Sequence, residues 1–181
     1  MPQHIAFLRG INLGKRRIKM DRLAALFEAL KFTEVATFIA SGNVIFSSKS
    51  AGAKLEAQIE KHLHASLGYE VDTFVRTRAE VALVAALRPF AKADMGEPAN
   101  TVHAGFLKGE LSVAQQRGLE ACRSATDEFR VAGREYYWLC RGIPTHESKI
   151  WASPELRALK LPTSSMRNLT TIRRLAVEFS A

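Results

Sequence analysis

The spacing of apolar positions divides the chain into short strands and amphipathic helices. His4 to Arg9 (HIAFLR) is a nearly continuous apolar run, the pattern of a central strand covered on both faces. Residues 10–20 carry glycine and positive charge and read as a loop, with Asp21 as the predicted N-cap of a helix. Leu23, Leu26, Phe27 and Leu30 then recur at i, i+3, i+4 and i+7 on one helical face. Val35 to Ile39 and Val44 to Ser47 read as strands joined at the turn signal Ser41-Gly42-Asn43. Ser50 is the predicted cap of a second helix carrying Leu55, Ile59, Leu63 and Leu67, which Gly68 stops. Val71 to Arg76 is a fourth strand. The order β-α-β-β-α-β is ferredoxin-like.

Thr77 and Glu80 form a capping box for a third helix that ends before Pro89. Residues 89–100 carry two prolines, a glycine and few large apolar residues, and 91–100 are the expected linker between a unit at 1–90 and a second at 101–181. The second half repeats the order less fully. Thr101 to Leu107 is a strand, Ser112 and Gln115 box the start of a helix through Cys122, and 128–132 with 135–140 form a hairpin across Gly133-Arg134. A helix over 148–159, interrupted by Pro154, and a last helix over 168–179 follow, with no closing strand recognisable. The halves share no appreciable residue identity. The expected fold class is α+β, with two related ferredoxin-like α/β sandwich units, the second a degenerate repeat with extra C-terminal helices.

Charge changes this picture most. The net charge of the 181 residues is +8, and all of it lies at the two ends. Residues 1–22 hold six basic side chains against one acid, 155–181 hold five against two, and 23–154 are balanced at 15 of each. That asymmetry suggests an anionic partner for one surface. In the expected topology the loop after the first strand, the turn 41–43 and the loop 68–70 share one end of the sheet. Arg9, Asn12, Lys15, Arg16, Arg17, Lys19, Ser41 and Asn43 therefore gather near glycine turns and a helix N-terminus, an arrangement that attracts phosphate or carboxylate.

These same residues carry a resemblance. Phe7-Leu8-Arg9-Gly10-Ile11-Asn12-Leu13-Gly14, Ile18-Lys19-Met20 and Phe38-Ile39-Ala40-Ser41-Gly42-Asn43-Val44-Ile45-Phe46 resemble the bacterial "domain of unknown function 1697" family, whose usual motifs are RGINVGG, IKM and SGNVVF. Gly142-Ile143, Ser148-Lys149 and Ser164 to Thr171 extend the resemblance. Lys15 stands where a second glycine is common, and Leu169 where tryptophan is usual. The resemblance implies an α+β fold of two related units and a cytoplasmic bacterial protein, and it implies no activity. The positions it carries over are Arg9, Gly10, Asn12, Gly14, Lys19, Ser41, Gly42, Asn43, Arg167, Asn168 and Thr171. With Lys15 these form the candidate ligand-binding set.

Catalytic patterns fail one by one. Gly10-x-x-x-Gly14-Lys15 has one residue too few for a P-loop, and Arg16 replaces the magnesium-binding Ser or Thr. The five histidines form no metal-ligand spacing, and no cofactor is expected. Cys122 and Cys140 read as buried thiols of a reducing cytoplasm. Glu56 and Glu60, at i and i+4, read as a solvated helix face, and Asp127-Glu128 offers no acid–base dyad without a cleft. Trp138 and Trp151 read as half-buried core. The strand order is also that of the RRM, but only Phe7 and Phe46 could stack bases and the K/R-G-F-G-F-V run is absent. Arg173-Arg174 is the basic pair expected to be most exposed. No apolar run nears the roughly 18 residues of a membrane span, so no membrane partner is expected, and the basic N-terminus leaves no room for a signal peptide's apolar core.

Three readings remain. The first is a binding protein for nucleic acid or another phosphate-bearing anion through the loop 9–19. The second is a small-molecule enzyme or sensor with its site at Arg9–Lys19 and Ser41–Asn43, Arg167-Asn168 closing it. The third is a structural role, in which Arg9, Asn12, Asn43, Arg167 and Asn168 satisfy buried backbone groups.

Overall fold

A computed structural model of the chain describes residues 1–40 and 42–179. By internal packing the chain divides into Met1–Leu83 with Leu175–Ala181, and Val84–Arg174. The first unit begins β1 (Gln3–Leu8), α1 (Met20–Ala29), β2 (Thr33–Phe38), β3 (Asn43–Ser47), α2 (Gly52–Leu67) and β4 (Thr73–Thr77). Its sheet is antiparallel in the order β2-β3-β1-β4, the ferredoxin-like arrangement. Leu23 and Phe27 of α1 and Leu55, Ile59 and Leu63 of α2 pack on Ala6, Leu8, Val44, Phe46 and Val75 of the sheet. The other sheet face presents Ile5, Phe7, Ile45 and Phe74, which are buried as well. A run apolar on both faces is what that burial requires. α3 (Arg78–Ala86) follows β4 at once, and Thr77 and Glu80 make the expected capping box.

Two expected caps are not used. α1 starts at Met20 with Lys19 at the N-cap, so Asp21 lies inside the first turn, where its charge complements the helix dipole. Ala51, not Ser50, precedes α2, while the Ser50 amide donates to Ser48 Oγ at 3.1 Å.

The second unit corrects a larger point. After α4 (Lys92–Gly96), which occupies part of the stretch 91–100, come β5 (Thr101–Phe106), α5 (Val113–Ala121), β6 (Asp127–Ala132) and β7 (Glu135–Cys140). The expected helix over 148–159 is instead a 3-10 turn at Ile150–Ala152 and the short α6 (Pro154–Ala158). Pro154 begins that helix rather than interrupting one: it sits in the first turn, and Ser153 Oγ accepts from Leu156 N. A closing strand then appears, β8 (Ser165–Asn168), followed directly by α7 (Leu169–Glu178). The order β6-β7-β5-β8 reproduces that of the first sheet. Each half therefore runs β-α-β-β-α-β-α once α4 is set aside, and the repeat is complete.

The register exposes identity that a linear comparison of the halves misses. β1 reads His4-x-x-Phe7-Leu8 and β5 with the next residue reads His103-x-x-Phe106-Leu107. His4 lies opposite Phe46, and His103 opposite Trp138, in equivalent central strands. The Leu8 amide donates to Gly42 O and the Leu107 amide to Arg134 O, both at 2.9 Å. Each histidine lies beside the ring it faces, at 5.7 and 5.4 Å between centroids, and each has one buried ring nitrogen without a hydrogen-bond partner, Nε2 of His4 and Nδ1 of His103.

Burial lowers the pKa of both histidines. At His4 the Ser48 backbone and the Glu80 charge offset this in part. The folded chain thus holds both rings neutral to a lower pH than the unfolded chain, which takes up protons below about pH 6.5. Stability from these sites is present above that pH and is lost as pH falls. Urea midpoints should drop between pH 7.5 and 5.5, and the drop should flatten in His4→Leu/His103→Leu. An unchanged slope in the double variant would remove the two rings as its source.

Edge strands explain the helical glutamates, which are not a solvated face. β4 is an edge, so the amides of Thr73, Val75 and Thr77 have no strand to meet. Glu60 accepts from Thr73 N at 2.8 Å, Glu56 from Val75 N at 2.8 Å, and Glu80 from Thr77 N at 2.7 Å. Four residues along a helix rise about 6 Å and two along a strand about 6.8 Å, so an i, i+4 carboxylate pair matches alternate strand amides. Glu120 of α5 does the same for Val131 N of edge strand β6 at 2.9 Å. Carboxylates there occupy amides that another chain's strand would otherwise meet.

Candidate functional site

The loop between β1 and α1 is held on three sides. Gly10 and Gly14 take left-handed φ values of +74° and +60°, which let the chain turn back over the end of the sheet. Ile11 and Ile18 are buried anchors at its base. Asn12 spans the loop: its Oδ1 accepts from Ile18 N at 2.9 Å and its Nδ2 donates to Ala40 O at 3.1 Å. Tyr69 Oη donates to Ile11 O at 3.3 Å, and Arg9 N donates to Asp72 O at 2.9 Å. The three segments expected at one end of the sheet do meet there.

Gly42 is fixed by space as well as by φ (+77°), because a Cβ on it would stand 2.6 Å from Ile11 Cγ2 and 3.2 Å from Leu8 Cβ. Asn43 is fully buried, and its Nδ2 donates to Phe38 O at 3.0 Å, closing the hairpin turn. Ser41 lies outside the described residues. Gly10, Asn12, Gly14, Gly42 and Asn43 are thus the frame of the loop.

The cations stand on that frame. Arg9 is exposed and pairs with Asp72 at 3.5 Å. Arg16 lies over the Tyr69 ring at 4.4 Å, and Arg17 Nη1 donates to Asn12 O at 3.2 Å. Lys15, Arg16, Arg17 and Lys19 are all exposed, and among the described residues none forms an ion pair. Lys19 also occupies the N-cap of α1, where the helix dipole adds positive potential.

The C-terminal candidates belong to the β8–α7 junction of the second unit. Arg167 lies opposite Ala104 and its Nη1 donates to Ser165 Oγ and Met166 O, each at 2.9 Å; burial lowers its pKa to about 10. Asn168 caps α7, its Oδ1 accepting from Thr170 N at 2.9 Å, and Thr171 is half-buried in the first turn. The first sheet holds a counterpart that sequence reasoning missed. Arg76 lies opposite Ile5 in β4, is 1% exposed, and donates from Nη1 to Val75 O at 2.9 Å. Only the register links the two arginines. Arg173, expected to be exposed, is partly buried, and its Nε donates to Ala85 O at 3.2 Å at the end of α3.

Asp127 is the other group whose role the spacing hid. It is 2% exposed and accepts from Ser124 Oγ and Thr126 Oγ1 at 2.6 Å, Ser148 Oγ at 2.7 Å and Trp138 Nε1 at 2.8 Å. Glu128 points to the opposite sheet face, as strand alternation demands, and binds Arg130 and Arg141. Arg141 also grips Asp94 through two hydrogen bonds. Asp127 and Glu128 therefore form no dyad. Trp151 packs against Trp138, Phe129 and Tyr136 as core.

Among the described residues no helix is long and apolar enough to cross a membrane. No curated protein matches the chain. A solved structure of a conserved bacterial protein from Streptococcus pneumoniae is similar over 100% of this chain and 99% of its own, with a TM-score of 0.75 at 18% identity, a likeness of fold. The model of the family described as "Protein of unknown function (DUF1697)" matches residues 1–137, which contain the whole framed loop, and the chain belongs to that family.

Proposed function

We propose that the loop between β1 and α1 is a contact surface for the phosphate backbone of a nucleic acid. The observation that carries this reading is the division of labour within the loop. Asparagines and glycines spend their side chains and backbone freedom on the frame, and Lys15, Arg16, Arg17 and Lys19 are left exposed without acidic partners. Exposed cations on a braced loop suit a repeating anion, which they meet without ordering a flexible segment first. A small-molecule site at this end would need Asn12 and Asn43 to orient the ligand, and both amide groups are already engaged with backbone atoms. Base stacking on the sheet is not the mode, because Phe7 and Phe46 are fully buried.

The test is fluorescence anisotropy with labelled RNA and DNA oligonucleotides across a salt series. Affinity should fall log-linearly with salt, by about 0.9 per neutralised phosphate on duplex DNA. Lys15→Glu/Arg16→Glu/Arg17→Glu should abolish binding while leaving the thermal midpoint nearly unchanged, since exposed polar contacts each contribute only about 0–1 kcal/mol. Binding that survives the triple variant, or no binding at low salt, would overturn the proposal.

A further inference from the structure

The second unit contains a cleft of about 850 Å³ where the end of α5 faces the segment 143–159. That volume is within the usual range of small-molecule sites, about 300–1,000 Å³. Ala121, Ile143, Ile150 and Leu159 supply apolar wall, and Glu147 and Glu155 stand with Lys149 and Arg123 among them. The cleft closes where α5 crosses the chain after α6: Gly118 lies so near Leu159 that a Cβ there would overlap the leucine. Asp127 also lines the cleft, but its four hydrogen bonds hold the walls together and leave it no free acceptor.

The carboxylates of Glu147 and Glu155 differ from Asp127, because among the described residues neither has a hydrogen-bond or ion-pair partner. Arg123 turns its Nε to Glu120 O at 3.4 Å, at the last turn of α5. The three acids outnumber the two bases, in a chain whose net charge is +8. The cleft is thus locally acidic and apolar-walled in a basic protein. Cys122 lines it at 8% exposure, and burial together with the nearby Glu155 charge raises its thiol pKa, so the thiol stays protonated.

We infer that this cleft binds a small protonated amine with an apolar or aromatic body. The apolar part covers Ile143, Ile150 and Leu159, and the ammonium group meets Glu147 and Glu155. Neither the site nor the charge of its ligand depends on the basic loop of the first unit.

Two probes with the same phenylethyl body and opposite charge test it: 2-phenylethylammonium and 3-phenylpropionate, titrated into the full chain and followed by two-dimensional NMR. The ammonium probe should shift the signals of Ala121, Ile143 and Ile150 in a saturable way, and the carboxylate probe should bind at least about tenfold more weakly. Glu147→Gln/Glu155→Gln should weaken the ammonium probe by about tenfold and remove the preference. Ala121→Trp, which fills the cleft, should abolish both responses. Equal or tighter binding of the carboxylate, no saturable shift at these residues, or an affinity unchanged by the glutamine pair would each overturn the inference.

Discussion

Asp127→Ala is expected to destabilise the second unit by about 3–5 kcal/mol, because hydrogen bonds to a charged group contribute about 1.5–3 kcal/mol each and those from Trp138 and Ser148 are both lost. The four donors do not suffer alike. Ser124 and Thr126 lie near the surface and regain water, but Trp138 is 2% exposed, and its indole N–H would be stranded in the core at a cost of about 1–3 kcal/mol. Ser148 would lose the bond that ties the 143–150 segment to the start of β6. Asp127→Asn should cost less, since one oxygen can still accept while the new NH₂ faces donors. Acid adds a second signature. Burial pushes the Asp127 pKa up, yet the bonds from Ser124, Thr126, Ser148 and Trp138 outweigh it and hold the carboxyl below its usual range. The unfolded chain therefore binds a proton that the folded chain refuses, and this stability is lost as pH falls below about 4. Urea unfolding at neutral pH and at pH 3 measures both effects. A loss under about 1 kcal/mol at neutral pH would mean that the network carries little.

Gly105→Ala should cost about 3 kcal/mol, the upper end of the range for overpacking. Gly105 sits in β5 directly opposite Tyr136, whose ring lies over it, and a Cβ at 105 would fall inside that ring with the hydroxyl oxygen 2.5 Å away. The ring has no easy retreat, because Tyr136 Oη is hydrogen-bonded to Ser164 Oγ at 2.8 Å. The first sheet solves the same position with other volumes: Ala6 faces Val44. Small against large at one site and medium against medium at the other fill equivalent space. Shrinking the partner in Gly105→Ala/Tyr136→Val should then restore part of the loss, as measured by urea unfolding. A neutral Gly105→Ala would refute the packing argument.

Much of the fold was legible because its signals are local. The Thr77/Glu80 and Ser112/Gln115 boxes, the left-handed Gly68 stop and the Gly133-Arg134 hairpin each depend on a few neighbouring residues, and all are present. Three of the failures share one cause, a partner distant in sequence. Ser-Met-Arg-Asn has no strand signature of its own, and β8 exists because β5 offers it an edge. Glu56 and Glu60 look like any exposed helix pair until β4 is known to run beside them. Asp127 looks like half of an acid pair until strand alternation separates it from Glu128. At the basic loop, glycines, asparagines and cations were all visible as a group. Only the hydrogen bonds of Asn12 and Asn43 showed which members build and which face outward.

The division of the chain has a consequence for the order of its making. The first unit includes Leu175 onward, and Phe179 packs edge-on against Phe38 at 6.0 Å between ring centroids. A ribosome delivers Phe38 early and Phe179 only after every strand of the second unit has emerged. The first sheet can pair its four strands during synthesis, but Phe38 must wait for its ring partner until translation has passed all of the second. The half that starts first is thus the half that finishes last.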